Sequence, residues 1–108
     1  MTTKLVQDLE AVREWLSDPA HWTKGVYGAD KDGVKVSVLE EPERVAATCL
    51  VGAIVKVTGS LKPGPVEEAI KQCVPFGHSP LYFNDYLATH ADILTVLDCA
   101  LEKARRDC

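Results

Sequence analysis

The chain has 108 residues, of which 46% are apolar and 26% charged, with a formal net charge of −4. That is the size and composition of one folded domain, residues 1–108. No run approaches the ~20 apolar residues of a membrane-crossing helix. The apolar content is too high for disorder, and the acidic balance lacks the basic footprint of a nucleic-acid binder. Neither a membrane nor a nucleic acid is therefore expected as a partner.

The opening stretch, Met1 to Asp8, lacks the basic region and continuous apolar segment of a secretory signal, so a cytoplasmic protein is expected. Leu5, Leu9, Val12 and Leu16 recur at helical spacing, with Val6 and Trp15 widening the stripe, and predict an amphipathic helix from about Thr3 to Ser17. Asp18-Pro19 ends it. Trp22 to Ala29 and the alternating run Val34-Lys35-Val36-Ser37-Val38 flank Asp30-Lys31-Asp32-Gly33. This reads as a β-hairpin with its tip at Asp30–Gly33 and its three valines on one face, packed on helices.

Glu40-Glu41-Pro42-Glu43 is expected to open the second helix, with acids complementing its dipole. Ala46, Cys49, Leu50, Ala53, Ile54 and Val57 follow helical spacing, with Gly52 in the middle, and Gly59-Ser60 stops the run. A glycine there costs ~1 kcal/mol against alanine, and close packing of a neighbouring element is its expected reason. Val66, Ala69, Ile70, Cys73 and Val74 predict a short third helix ended by Pro75 and Gly77. An irregular segment, Pro75 to Leu87, follows. Thr89-His90-Ala91-Asp92 is a capping box opening a last helix with Ile93, Val96, Leu97, Ala100, Leu101 and Ala104 on its apolar face. The expected class is α+β, mainly helical: four helices packed with one β-hairpin around a shared core.

The four cysteines are Cys49, Cys73, Cys99 and Cys108. The first three fall on apolar helix faces, and no C-x-x-C pair occurs, so they are expected to be reduced core residues. Cys108, at the chain end, is expected to be exposed. Asp30-x-Asp32-Gly33 resembles the start of a calcium loop, with Glu41 at the twelfth position, but Val34 and Lys35 occupy the fifth and sixth, so a turn is the better reading. His21, His78 and His90 show no metal-binding spacing. Cys73 is near His78 in sequence, but a thiol on an apolar stripe is a poor nucleophile. No phosphate loop, dinucleotide fingerprint or nucleophile elbow occurs. No catalytic set, metal or cofactor is therefore assigned.

The segment from Pro75 to Leu87 holds four of the seven aromatic residues and two of the six prolines. Such density is unusual in a plain connection. In a structural reading, Tyr82 and Phe83 plug the open end of the bundle, while Asn84 and Asp85 satisfy backbone groups near the last helix. In a functional reading, His78, Tyr82, Phe83 and Tyr86 form a contact surface, with Asn84 and Asp85 as polar recognition groups.

Trp22-Thr23-Lys24-Gly25, Asp30-x-Asp32-Gly33, Cys49-Leu50-x-Gly52-Ala53-Ile54, Phe83-Asn84-Asp85 and Leu97-Asp98-x-Ala100 occur in that order. The chain thereby resembles a family of small uncharacterised proteins from bacteria and their phages. That family's pattern runs W-x-x-G, D-x-D-G, W-C-L-x-G-A-L, F-N-D, L-L-D-x-A-I. Here Thr48 stands where the pattern has a tryptophan before the cysteine. The resemblance implies no catalytic residue. It does imply that Trp22, Cys49, Gly52, Asn84 and Asp85 meet near one end of the fold, which adds Trp22 to the candidate binding residues.

The function expected from these features is that of a non-enzymatic accessory protein, of the bacterial or phage origin that the resemblance implies. It would bind a protein partner or a second copy of itself through the Pro75–Tyr86 loop and the neighbouring hairpin. The alternative is a small-molecule-binding protein or hydrolase, with a pocket around Asp85, Asn84 and His78.

Overall fold

The computed structural model describes residues 3–106. Helix α1, Lys4–Leu16, begins where the Thr3 hydroxyl accepts the Val6 N–H at 3.2 Å. It buries Leu9, Val12 and Leu16 of the expected stripe together with Val6, whereas Leu5 is only half-buried. Helix α5, His90–Arg106, buries Ile93, Val96, Leu97, Ala100, Leu101 and Ala104. Its capping box is reciprocal: the Asp92 N–H donates to the Thr89 hydroxyl and the Thr89 N–H donates to the Asp92 carboxylate. The two helices lie antiparallel, since Glu10 meets Arg105, Arg13 meets Asp98, and the Leu16 carbonyl meets His90.

The last three carbonyls of α1 are occupied. Ser17 donates to Glu14 O, His21 Nδ1–H to Trp15 O at 2.8 Å, and His90 Nε2–H to Leu16 O at 2.7 Å. A carbonyl can only accept, so each imidazole carries its proton on the named nitrogen. This fixes two of the three histidines as local structural donors at the end of a helix, where positive charge is also favoured.

The middle of the chain departs from expectation. The turn at Asp30–Gly33 forms, with Asp30 Oδ1 accepting the Asp32 and Val34 N–H groups, each at 2.9 Å, and Gly33 at φ +81°. A regular hairpin does not extend from it. Strand β1, Gly28–Ala29, pairs antiparallel with β2, Ala47–Thr48, in the register Gly28 to Thr48 and Ala29 to Ala47. Only an isolated bridge, Ala29 to Lys35, joins β1 to the valine run. Val36 and Val38 are buried, but Val34, whose N–H closes the Asp30 turn, is 55% exposed.

The second helix also begins later than expected. Residues 42–44 make one tight 3-10 turn, β2 follows, and α2 runs only from Leu50 to Thr58. Ala46 and Cys49 donate their N–H groups to Ala29 O and Tyr27 O, so their backbone belongs to the sheet region. Cys49 is the N-cap, its sulfur accepting the Gly52 N–H at 3.2 Å, and Gly52 lies in the first turn rather than mid-helix. Close packing is the reason for that glycine: a Cβ there would overlap the Tyr27 carbonyl oxygen and stand 2.8 Å from its carbon.

Helix α3, Pro65–Lys71, buries Val66 and Ile70, and Val74 continues the stripe. The Pro75–Leu87 segment, expected to be irregular, is largely helical. A 3-10 turn at Pro75–Gly77 leads to α4, Pro80–Tyr82, which runs on as a π-helical turn, Phe83–Leu87. Ser79 caps α4 by accepting the Tyr82 N–H, and Pro80 suits the first helical position. The described residues thus form a mainly helical α+β fold with five helices and a two-stranded sheet. One apolar cluster draws on α1, α2, α3 and α5 and, through Phe83, on the π-helical turn. No helix among the described residues is long and apolar enough to cross a membrane.

The cysteines divide. Cys49 is a buried free thiol, whereas Cys73 and Cys99 form a disulfide between the end of α3 and the middle of α5. The expectation of three reduced core cysteines is corrected accordingly. Helical spacing placed Cys73 and Cys99 on inward faces, and inward faces of neighbouring helices bring thiols together. Cysteine usage therefore no longer supports a reducing compartment. Cys108 lies outside the described residues.

Candidate functional site

The segment from Ser79 to Leu87 presents two faces with different chemistry. Its inner face carries Phe83 and Asn84, both buried. Phe83 enters the core, so it is the plug that the structural reading expected. Tyr82 is not part of that plug, being exposed.

Asn84 has no solvent exposure and a full set of partners. Its Oδ1 accepts the Trp22 indole N–H at 2.6 Å and the Leu50 backbone N–H at 3.0 Å. Its Nδ2 donates to Thr23 O at 3.2 Å and to Asp85 Oδ1 at 2.9 Å. Asp85 Oδ1 also accepts the Gly25 N–H at 3.0 Å. These two side chains thus satisfy backbone groups of the 23–25 loop and of the start of α2, not of the last helix. Lys24 Nζ sits 5.3 Å from the centre of the Trp22 ring, and the His90 ring is 5.9 Å from it.

Trp22, Cys49, Gly52, Asn84 and Asp85 therefore stand around the first turn of α2. Thr48 completes this region: it is buried, and its hydroxyl accepts the Trp15 indole N–H at 3.0 Å. Trp15 is itself held between contacts, with His21 stacked at 3.9 Å and Lys56 Nζ 4.6 Å from its ring centre. Burial pushes the Cys49 thiol above its usual range, and the nearby Asp85 charge adds to the effect. Such a thiol is a poor nucleophile. This cluster orders polar groups; it does not present them.

His78 is elsewhere. It borders a groove of about 520 Å³ lined by Cys73, Phe76, Phe83, Leu87, Val96 and Cys99, among others; neither Asn84 nor Asp85 lines that groove. The three residues of the expected pocket thus divide between a buried polar cluster and an open apolar groove.

The outer face of the segment is aromatic. His78 stacks on Tyr82 at 5.1 Å, Tyr82 meets Tyr86 at 5.0 Å, and Phe76 approaches His78 edge-on at 6.5 Å. Phe76 is 97% exposed and Tyr86 73% exposed, and Leu81 and Leu87 are exposed beside them. Phe76 also holds a left-handed backbone conformation, φ +58°, next to Gly77 at φ +73°. Four rings in sequential contact thus form one continuous surface. His78, Tyr82 and Tyr86 were singled out from sequence; Phe76 was not, and its neighbouring proline and glycine were the available sign of an unusual turn.

Fold and site together define a small, mainly helical α+β domain with an ordered polar cluster inside and an aromatic face outside. Over residues 1–103 the chain matches a family of unknown function, DUF6197, and it belongs to that family. No curated protein and no solved structure is significantly similar to it.

Proposed function

We propose that this protein is a non-enzymatic accessory protein that acts by protein–protein binding, pairing with a second copy through the aromatic face of residues 76–87. The observation that carries this reading is the concentration of exposed apolar side chains there. Five of them, Phe76, Leu81, Tyr82, Tyr86 and Leu87, lie within this one stretch. An aromatic side chain offers ~150–250 Å² for burial. The five at their observed exposures offer roughly 500–600 Å², the upper end of what a monomer leaves in one patch. Doubled across a two-fold axis, that approaches the ~1,200 Å² of a specific interface. The rings are already stacked on one another, so pairing would order few additional rotamers.

The test is sedimentation and light scattering of the wild type and of the Tyr82→Ala/Tyr86→Ala variant over a wide concentration range. A concentration-dependent dimer in the wild type that is lost in the folded double variant supports the reading. A wild type that stays monomeric throughout, or a folded double variant that pairs as well as the wild type, overturns it.

A further inference from the structure

We propose that the Cys73–Cys99 disulfide is a redox switch on the aromatic face, holding Phe76 and His78 in place when formed and releasing them when reduced. This inference names the regulation of the surface described above and rests on that reading.

Three observations carry it. First, the disulfide is within reach. Both cysteines are half-buried, and both line the open groove that Phe76 and His78 also border. Second, the bond encloses the face: the two cysteines are 26 positions apart, and Phe76, His78, Tyr82 and Tyr86 all lie between them. Third, between the buried Val74 and Pro80, the turn that carries Phe76 and His78 is otherwise held by local backbone bonds. Among the described residues, Cys73, Val74 and His78 donate their backbone N–H groups to Ile70, Lys71 and Pro75. The disulfide is thus the covalent tie between this turn and α5. Tyr82 and Tyr86 are anchored separately, by Pro80, Phe83 and Asn84, which are buried. Opening the bond would therefore free the Phe76 end of the ring array and leave the other end standing.

The chemistry closes with a dithiol as reductant. One of its thiolates attacks a sulfur of the pair, the sulfur–sulfur bond breaks, and the other cysteine leaves as a thiolate. The second thiol of the reductant then displaces the first cysteine and closes its own disulfide. Two electrons and two protons pass to the protein, giving two cysteine thiols, and a small-molecule disulfide reverses the exchange. Cys49 does not compete, because it is buried and its thiol is pushed up by that burial.

The experiment uses a Cys108→Ser background, which removes the chain-end thiol. Oxidised protein, dithiol-reduced protein and the Cys73→Ser/Cys99→Ser variant are compared by alkylation mass spectrometry, circular dichroism and sedimentation. The expected result is a Cys73–Cys99 link in the oxidised form, unchanged helical content on reduction, and pairing weakened about tenfold, the cost of re-ordering one or two side chains. The double variant should match the reduced form, and reoxidation should restore pairing. Absence of the link, or equal pairing in the linked and reduced forms, overturns the proposal. If no form pairs, the self-association reading has failed, and hydrogen exchange of residues 73–79 decides the switch alone. Protection that falls on reduction while α1 and α5 stay protected supports it; protection unchanged by reduction overturns it.

Discussion

Trp22 and Asn84, 62 positions apart in sequence, are joined by a 2.6 Å hydrogen bond whose acceptor oxygen also caps the first N–H of α2. The bond fastens the 22–25 loop to the π-helical turn and does so inside the protein, where an unpaired polar group costs free energy.

Asn84→Ala should destabilise by ~1–3 kcal/mol, because it leaves the Trp22 N–H, the Leu50 N–H and the Thr23 carbonyl without their partner. Asn84→Asp should not rescue it, since a carboxylate keeps the acceptor but loses the donor and sits beside Asp85. Urea denaturation of the three proteins checks this, and equal midpoints would remove Asn84 from the structural framework.

Gly52→Ala should destabilise although alanine is the better helix former by ~1 kcal/mol. Its methyl group would meet the backbone carbonyl of Tyr27, which cannot rotate away as a side chain could. A loss of ~2 kcal/mol or more is expected from this overpacking, read as a lowered thermal midpoint. Gly64→Ala, where a Cβ meets open space, is the control.

Asp30 should shape the acid limb of stability. Its carboxyl is held below the ordinary carboxylate range, first by the Val34 N–H and further by the Asp32 N–H and Arg44, against an opposing effect of burial. A lowered folded value means the stabilisation is complete above the unfolded value and is lost as pH falls through the folded one. Asp30→Asn should therefore be less stable than wild type at neutral pH, with the difference shrinking below about pH 4. A difference that stays constant from pH 7 to pH 2 would contradict this.

Thr89→Ala should cost ~1 kcal/mol by removing the acceptor for the Asp92 N–H at the start of α5. Thr89→Ser should retain most of the stability. Equal losses in the two variants would show that the methyl group, not the hydroxyl, carries the effect.

Legibility from sequence followed the range of the interactions. Helices α1 and α5 could be read because an apolar stripe and a nearby cap define each one locally. The start of α2 could not, because Ala46, Cys49 and Leu50 fit helical spacing while their backbone is claimed by a distant strand and a cap. The Ser79-Pro80 pair was a usable sign of α4, obscured by Gly77 and by two prolines in one short stretch. That Asn84 and Asp85 serve backbone groups was legible from their type; which groups they serve was not, since those lie some sixty positions away. The Cys73–Cys99 pairing likewise depends on how two helices dock, and spacing along one helix does not contain that information.

The Asn84–Leu50 bond also bears on the order in which the chain takes shape. α2 has only nine residues, a length marginal for an isolated helix. Its entry is sealed in part by a side chain 34 positions downstream. During synthesis α1 has its own cap, Thr3, directly before it, whereas the mouth of α2 stays open until Asn84 has been made. The start of α2 is therefore closed by a residue made well after it.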